Sequence, residues 1–137
     1  MVKISAKEPY DYISSVTPDY DYTLTIKAQG SVTERGMFNQ ILHTADDGSD
    51  EVVTLATTPI FYFVWKWNQL SESNAGTILD LYFDPLKAKG MARSFKLTGH
   101  DGNSYVVKFA NNDLARTGNA SSRWGYPDIK FKVIGKV

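Results

Sequence analysis

The sequence predicts an α+β fold: a mostly antiparallel β-sheet of about five to six strands, sandwich- or barrel-like, packed with one amphipathic helix over residues ~71–84. Three observations carry this. Ile60 to Trp67 is an alternating run rich in aromatic residues; a helical stripe follows it at once; and the last third of the chain alternates in three further runs separated by turn chemistry.

From Met1 to Asp21 the composition is mixed, with Pro9, Pro18 and two Tyr-Asp-Tyr triplets, Tyr10–Tyr12 and Tyr20–Tyr22, and no periodicity. An irregular N-terminal arm over 1–21 is therefore expected ahead of a single domain over 22–137. Tyr22, Leu24, Ile26 and Ala28 then alternate with Thr23, Thr25 and Lys27, the period of a strand, which Gly30 ends. Met37 to Leu42 fits either a strand or a short helical turn, and the acidic loop Asp46–Glu51 follows. Val52–Ala56 reads as a short strand closed by Pro59. In Ile60–Trp67 one face carries Phe61, Phe63, Trp65 and Trp67, the other Ile60, Tyr62 and Val64. Both faces are apolar, as in a central strand covered on both sides, or in one whose second face meets another subunit.

Ser71 is placed to cap the helix, and Ala75, Ile78, Leu79, Tyr82, Phe83 and Leu86 form one stripe at helical spacing. Each larger side chain contributes roughly 1.5–3 kcal/mol on burial, before entropy is subtracted. Pro85 ends the helix near Phe83 or Asp84, and Gly90 closes the turn. Phe95 and Leu97 then face one way, Gly99–Asn103 supplies a hairpin turn, and Tyr105, Val107 and Phe109 return. A long polar loop, Asn111–Trp124, precedes a last strand whose inward set is Ile129, Phe131 and Val133. Outward positions include Lys96, Lys108, Lys130 and Lys132, so one face is core and the other solvated and basic.

A length of 137 residues suits one core. Hydrophobic residues at 42% and charged residues at 22% argue against wholesale disorder and against a membrane protein. With no cysteine there is no disulfide framework, thiolate metal site or cysteine nucleophile. No run of about 18 apolar residues spans a bilayer, and Met1–Tyr12 lacks a signal-peptide core, so a soluble protein made in the cytoplasm is expected. The formal net charge of zero is unevenly spread, about −4 over residues 1–70 and about +4 over 71–137. That asymmetry suits head-to-tail self-association, and equally two halves interleaved in space.

Catalysis finds little support. His43 and His100 are the only histidines, and His100 sits in a turn. There is no Gly-x-Ser-x-Gly elbow, Walker loop or dinucleotide fingerprint. The spacing of Asp46, Asp47, Asp50 and Glu51 does not match a twelve-residue calcium loop; a solvated turn about Gly48 is the simpler reading. No enzyme, cofactor, metal or small-molecule substrate is expected. Asn119-Ala120-Ser121 matters as a glycosylation site only in a secreted protein. Lysines near Tyr and Trp suit phosphates and bases, but balanced overall charge argues against nucleic acid, and such lysines also protect a sheet from aggregation. Tyr62, Trp65, Trp67 and Trp124 suit a carbohydrate platform or, for the first three, core packing. Trp124 fits a partner contact as well as a plug under its loop. The candidate protein-contact residues are Asp46, Asp47, Asp50 and Glu51 on the acidic side, and Arg116, Arg123, Trp124 and Tyr126 on the other.

The aromatic strand Phe61-Tyr62-Phe63-Val64-Trp65, Leu70-Ser71 opening a helix with Leu79 and Phe83, Gly90, Phe95, Asp101-Gly102, Tyr105, Val107, Phe109 and the final Ile129, Phe131 and Val133 together resemble minor tail or baseplate-type structural proteins of tailed bacteriophages, over residues 60–137. The resemblance implies a virion component, made in the host bacterial cytoplasm, that forms or stacks on a ring. Its partners would be other copies of itself and neighbouring tail proteins, with no catalytic residues to carry over. On this reading the acidic loop 43–51 meets the basic C-terminal half of an adjacent copy, while the arm and loop 111–126 reach neighbours. The alternative is a monomeric carbohydrate- or nucleic-acid-binding module using exposed aromatics and the basic strand face.

Overall fold

A computed structural model of the chain describes residues 8–38, 40–44, 46, 48–54, 59–118 and 122–137. After a single 3-10 turn, Pro9–Tyr12, the strands are β1 (Thr23–Leu24), β2 (Val32–Met37), β3 (Gln40–Thr44), β4 (Asp50–Thr54), β5 (Ile60–Leu70), β6 (Phe95–Thr98), β7 (Ser104–Phe109), β8 (Thr117–Gly118) and β9 (Trp124–Lys136), with the helix α1 (Glu72–Phe83) between β5 and β6. The main sheet runs β1-β6-β7-β9-β5-β2, with β8 paired to β9; β3 and β4 form a separate two-stranded sheet. All pairs are antiparallel except β1 with β6. The chain is therefore α+β, and its main sheet keeps two edges, β1 and β2, instead of closing as a barrel.

The core lies on one face of this sheet. Phe63, Trp65 and Trp67 of β5, Ile129 and Phe131 of β9, Tyr105, Val107 and Phe109 of β7, and Phe95 and Leu97 of β6 are all buried. Their rings meet mostly edge to face, the arrangement an aromatic quadrupole favours: Trp65 and Phe131 at 5.5 Å and 76°, Phe63 and Tyr105 at 4.9 Å and 85°. The alternation from Tyr22 to Ala28 appears in the burial, with Leu24 fully buried and Ile26 and Ala28 half-buried. Only Thr23 and Leu24 pair as a strand, because the chain then leaves β6 for the far edge. Gln29 and Gly30 already donate to the Lys66 carbonyl, and the Trp67 indole donates to the Lys27 carbonyl at 2.9 Å. This crossing segment lays its apolar side chains on the core.

Helix α1 covers the rest. The Ser71 hydroxyl accepts from the Asn74 amide as a cap, and Pro85 follows the last turn. The helical stripe is rotated from the one its spacing suggests: Ala75, Ile78, Leu81 and Tyr82 are buried, whereas Phe83 is 56% and Leu86 80% exposed. Two phenols account for this. Tyr126 donates to the Ala75 carbonyl at 2.7 Å, and Tyr82 donates to the Asn111 carbonyl at 2.8 Å, which fixes the face turned to the sheet. The helix also stops at Phe83, so Leu86 lies beyond it in a turn, and Ala88 fills the end of the core.

Of the ambiguous stretch Met37–Leu42, Met37 ends strand β2 and residues 40–42 lie in β3, and two residues of the expected acidic loop, Asp50 and Glu51, belong to strand β4. Apart from the 3-10 turn, residues 8–21 form no regular element, but they lie against the domain. Ile13 is buried, Val16 donates to the Lys136 carbonyl, and Lys136 donates to that of Ser14. Gly135 permits this approach, since a Cβ there would sit 2.5 Å from the Ser14 carbonyl oxygen. Asp19 accepts from both the amide and the hydroxyl of Ser94, and those bonds hold its carboxyl below the usual range. No helix among the described residues is long and apolar enough to cross a membrane.

Candidate functional site

The hairpin β3–β4 belongs to a separate sheet from the rest of the chain. Its register pairs Leu42 with Val52 and Thr44 with Asp50. Because side chains alternate along a strand, these four share one face of the ribbon. Leu42 is 64% and Val52 55% exposed, so an apolar cross-strand pair faces outward. Asp50 accepts from the Thr44 hydroxyl at 3.1 Å, which places a carboxylate next to that pair toward the tip. Asp46 and Glu51 are also exposed; Asp47 and the Asn119–Ser121 sequence lie outside the described residues. An isolated two-stranded ribbon is marginal in water. Near its base, Tyr12, Met37 and Phe38 are exposed around a cleft of about 310 Å³ that Gly36, Pro59 and Phe61 complete.

The outer face of the main sheet carries the opposite charge. Cross-strand partners align Arg35, Tyr62, Lys132 and Lys108 in one row over β2, β5, β9 and β7. The next row holds Thr33, Val64 and Lys130, and the Ala110 amide donates to the Lys130 carbonyl at 2.8 Å. Lys108 and Lys132 stand directly opposite each other, a like-charge pairing that disfavours the sheet. Arg35, Lys108, Lys130 and Lys132 have no ion-pair partner among the described residues. Between the rows lies a shallow groove of about 300 Å³ with Tyr62, Val64, Met37 and Ala110 as its apolar part and Arg35 and Lys130 as its cationic part. The second face of β5 is thus neither covered core nor simple solvated surface.

The C-terminal candidates are placed differently. The Trp124 indole donates to the Glu72 carboxylate, and the Arg116 guanidinium lies 4.1 Å from the centre of the Trp124 ring, with its Nη1 3.7 Å from Glu72. Both side chains therefore tie the polar loop to the start of α1, where the carboxylate of Glu72 also suits the helix dipole. Two residues of that loop, Thr117 and Gly118, form β8 against β9, and Trp124 belongs to the last strand. Tyr126 is fully buried and bonded to Ala75, and burial pushes its phenol up to about 12; its expected contact role is corrected to a core role, because its ring points inward from β9. Arg123 is exposed. The structure thus unites Arg116 with Trp124, buries Tyr126, and sets Asp50 and Glu51 on a ribbon.

The other described candidates for chemistry make contacts within the fold. His100 bonds the Glu34 carboxylate and presents its ring to Phe63 at 5.3 Å and Trp65 at 6.2 Å. Asp101 accepts from the Tyr105 hydroxyl at 2.5 Å and the Asn103 amide at 3.0 Å; burial raises its pKa, but these bonds outweigh it and leave the carboxyl below its usual range. Trp65 and Trp67 are buried, so their rings are closed to a sugar. Among the described residues, no three His, Asp or Glu side chains come together to hold a metal.

Compared with protein-family models, with curated proteins and with solved structures, the chain matches none.

Proposed function

We propose that the chain is a structural subunit of a phage tail or baseplate, acting through protein–protein contacts and ring-type self-assembly, and not an enzyme. The observation that carries this reading is the hairpin β3–β4, which forms a sheet of its own and leaves Leu42 and Val52 largely exposed. A small ribbon of this kind gains its packing from a neighbour. The tail assignment itself rests on the resemblance over residues 60–137.

The test is light scattering after size-exclusion chromatography across protein concentration and salt, with a variant in which residues 40–54 are replaced by a short Gly–Ser linker. The expected result is a defined oligomer that dissociates at high salt and is lost in the linker variant, whose folded core persists. A monomer under every condition overturns the self-assembly reading. An antibody to the chain should label the tails of purified particles; label confined to heads or absent refutes the tail assignment.

A second reading, a nucleic-acid-binding module, draws on the row Arg35, Tyr62, Lys132 and Lys108, where cations flank a ring. Titration with single-stranded oligonucleotides separates the two. Saturable, salt-sensitive binding by a monomer favours the module.

A further inference from the structure

We infer that the receptor for the hairpin is the outer sheet face of a second copy of this chain. Leu42 and Val52 of one copy lie over Tyr62 and Val64 of the next, and Asp50 meets Lys130 and Lys132. This deepens the assembly reading above and rests on it.

Four observations on separate elements converge. The hairpin face is apolar at Leu42 and Val52 and anionic at Asp50; the groove is apolar at Tyr62, Val64 and Ala110 and cationic at Arg35 and Lys130. The two surfaces match in polarity and are opposite in charge. The opposed lysines 108 and 132 make the receptor row unfavourable by itself, and carboxylates from outside relieve it. The row from Arg35 to Lys108 spans three strand spacings, about 14 Å, enough to seat a ribbon of two strands. In its own molecule the hairpin leaves Leu42 64% exposed, so its own groove is not what covers it.

Donor and receptor are different patches, so each copy both gives a hairpin and takes one. Such a heterologous contact closes into a ring when the rotation between copies permits, and otherwise runs on as a filament. The zero net charge of the chain removes the overall repulsion that would oppose this.

The absence of cysteine makes the contact directly readable, since each introduced thiol is the only one in its molecule. Leu42→Cys and Val64→Cys variants are purified separately, mixed and oxidised gently in air with a copper catalyst. Lys130→Cys serves as a second receptor variant should Val64→Cys fold poorly. Leu86→Cys, at an exposed apolar site on another element, is the control. The mixed disulfide of Leu42→Cys with either receptor variant should form at least about 10-fold faster than with the control, as a docked pair has a far higher effective concentration than a free one. It should fade at high salt. Lys132→Glu in the receptor should suppress it, and Asp50→Lys in the donor should restore it.

Three results overturn this receptor while leaving an oligomer seen by light scattering intact: Leu42→Cys pairing with itself as fast as with the receptor, crosslinking no faster than the control, or a disulfide that forms only within a single chain carrying both cysteines. If no oligomer exists at all, the assembly reading falls and this inference with it. Oligonucleotide binding that Lys132→Glu abolishes, without any crosslink above the control, gives the face to nucleic acid instead.

Discussion

Replacing Lys132 by Glu should make the isolated subunit more stable and its assembly weaker. Lys132 and Lys108 are directly opposed in the β7–β9 ladder. At the separation of directly opposed Cβ atoms, about 5.5 Å, two unit charges in a water-like dielectric repel by about 0.75 kcal/mol before screening. At physiological ionic strength, with a Debye length of about 8 Å, roughly half of that survives. Reversing one charge turns repulsion into attraction of similar size, so the subunit gains about 0.5–1 kcal/mol. For a chain of this length that corresponds to a Tm increase of about 2–5 °C. The assay is thermal unfolding at a protein concentration low enough to keep the chain monomeric, at 0.05 M and 1 M salt. The gain should be present at the lower concentration and collapse at the higher, where the Debye length is about 3 Å. The same substitution should weaken association about tenfold or more, because it opposes Asp50 of the incoming hairpin. A loss of subunit stability, a gain that survives 1 M salt, or unchanged association would refute the reasoning.

Three further outcomes are expected. Tyr126→Phe removes the bond to the Ala75 carbonyl and should cost about 1 kcal/mol in urea unfolding at pH 8; since the folded phenol is held up to about 12 against an ordinary value of 10.0, wild-type stability is full below pH 10 and falls as pH rises toward 12, a decline that the variant should flatten. Asp19 has a folded pKa below the ordinary value of 3.8, chiefly through the Ser94 amide, so its contribution is present above that value and lost as pH falls through the folded pKa. Asp19→Asn should therefore reduce the dependence of Tm on pH as the pH falls below about 4, and an unchanged acid slope would show the bond to be immaterial. Gly135→Ala places a Cβ 2.5 Å from the Ser14 carbonyl and against Val16, and should release residues 13–16 at a cost of about 1–3 kcal/mol, read as faster proteolysis there while the main sheet stays protected.

Much of the architecture was legible in the chain itself. The alternation of Ile60–Trp67, the Ser71 cap with Pro85 beyond it, and Gly99–Asn103 between Leu97 and Tyr105 are local patterns, and local patterns specify β5, α1 and the β6–β7 hairpin wherever they occur. The basic outer face was legible too, because period-two spacing alone separates Lys108, Lys130 and Lys132 from their buried neighbours. What stayed hidden depended on partners far along the chain. The rotation of α1, which buries Leu81 and exposes Phe83, follows from phenols on Tyr82 and Tyr126 finding the Asn111 and Ala75 carbonyls. Tyr126 reads like Trp124 in sequence, yet one is sealed in the core and the other is tied to Glu72 and Arg116. The row from Arg35 to Lys108 exists only because four strands, drawn from residues 32 to 136, take one particular register. In strands β7 and β9 the period of two determines that Lys108, Lys130 and Lys132 face out; only the ladder of hydrogen bonds between distant strands decides which of them stand side by side, and the candidate contact surface is made by that second decision.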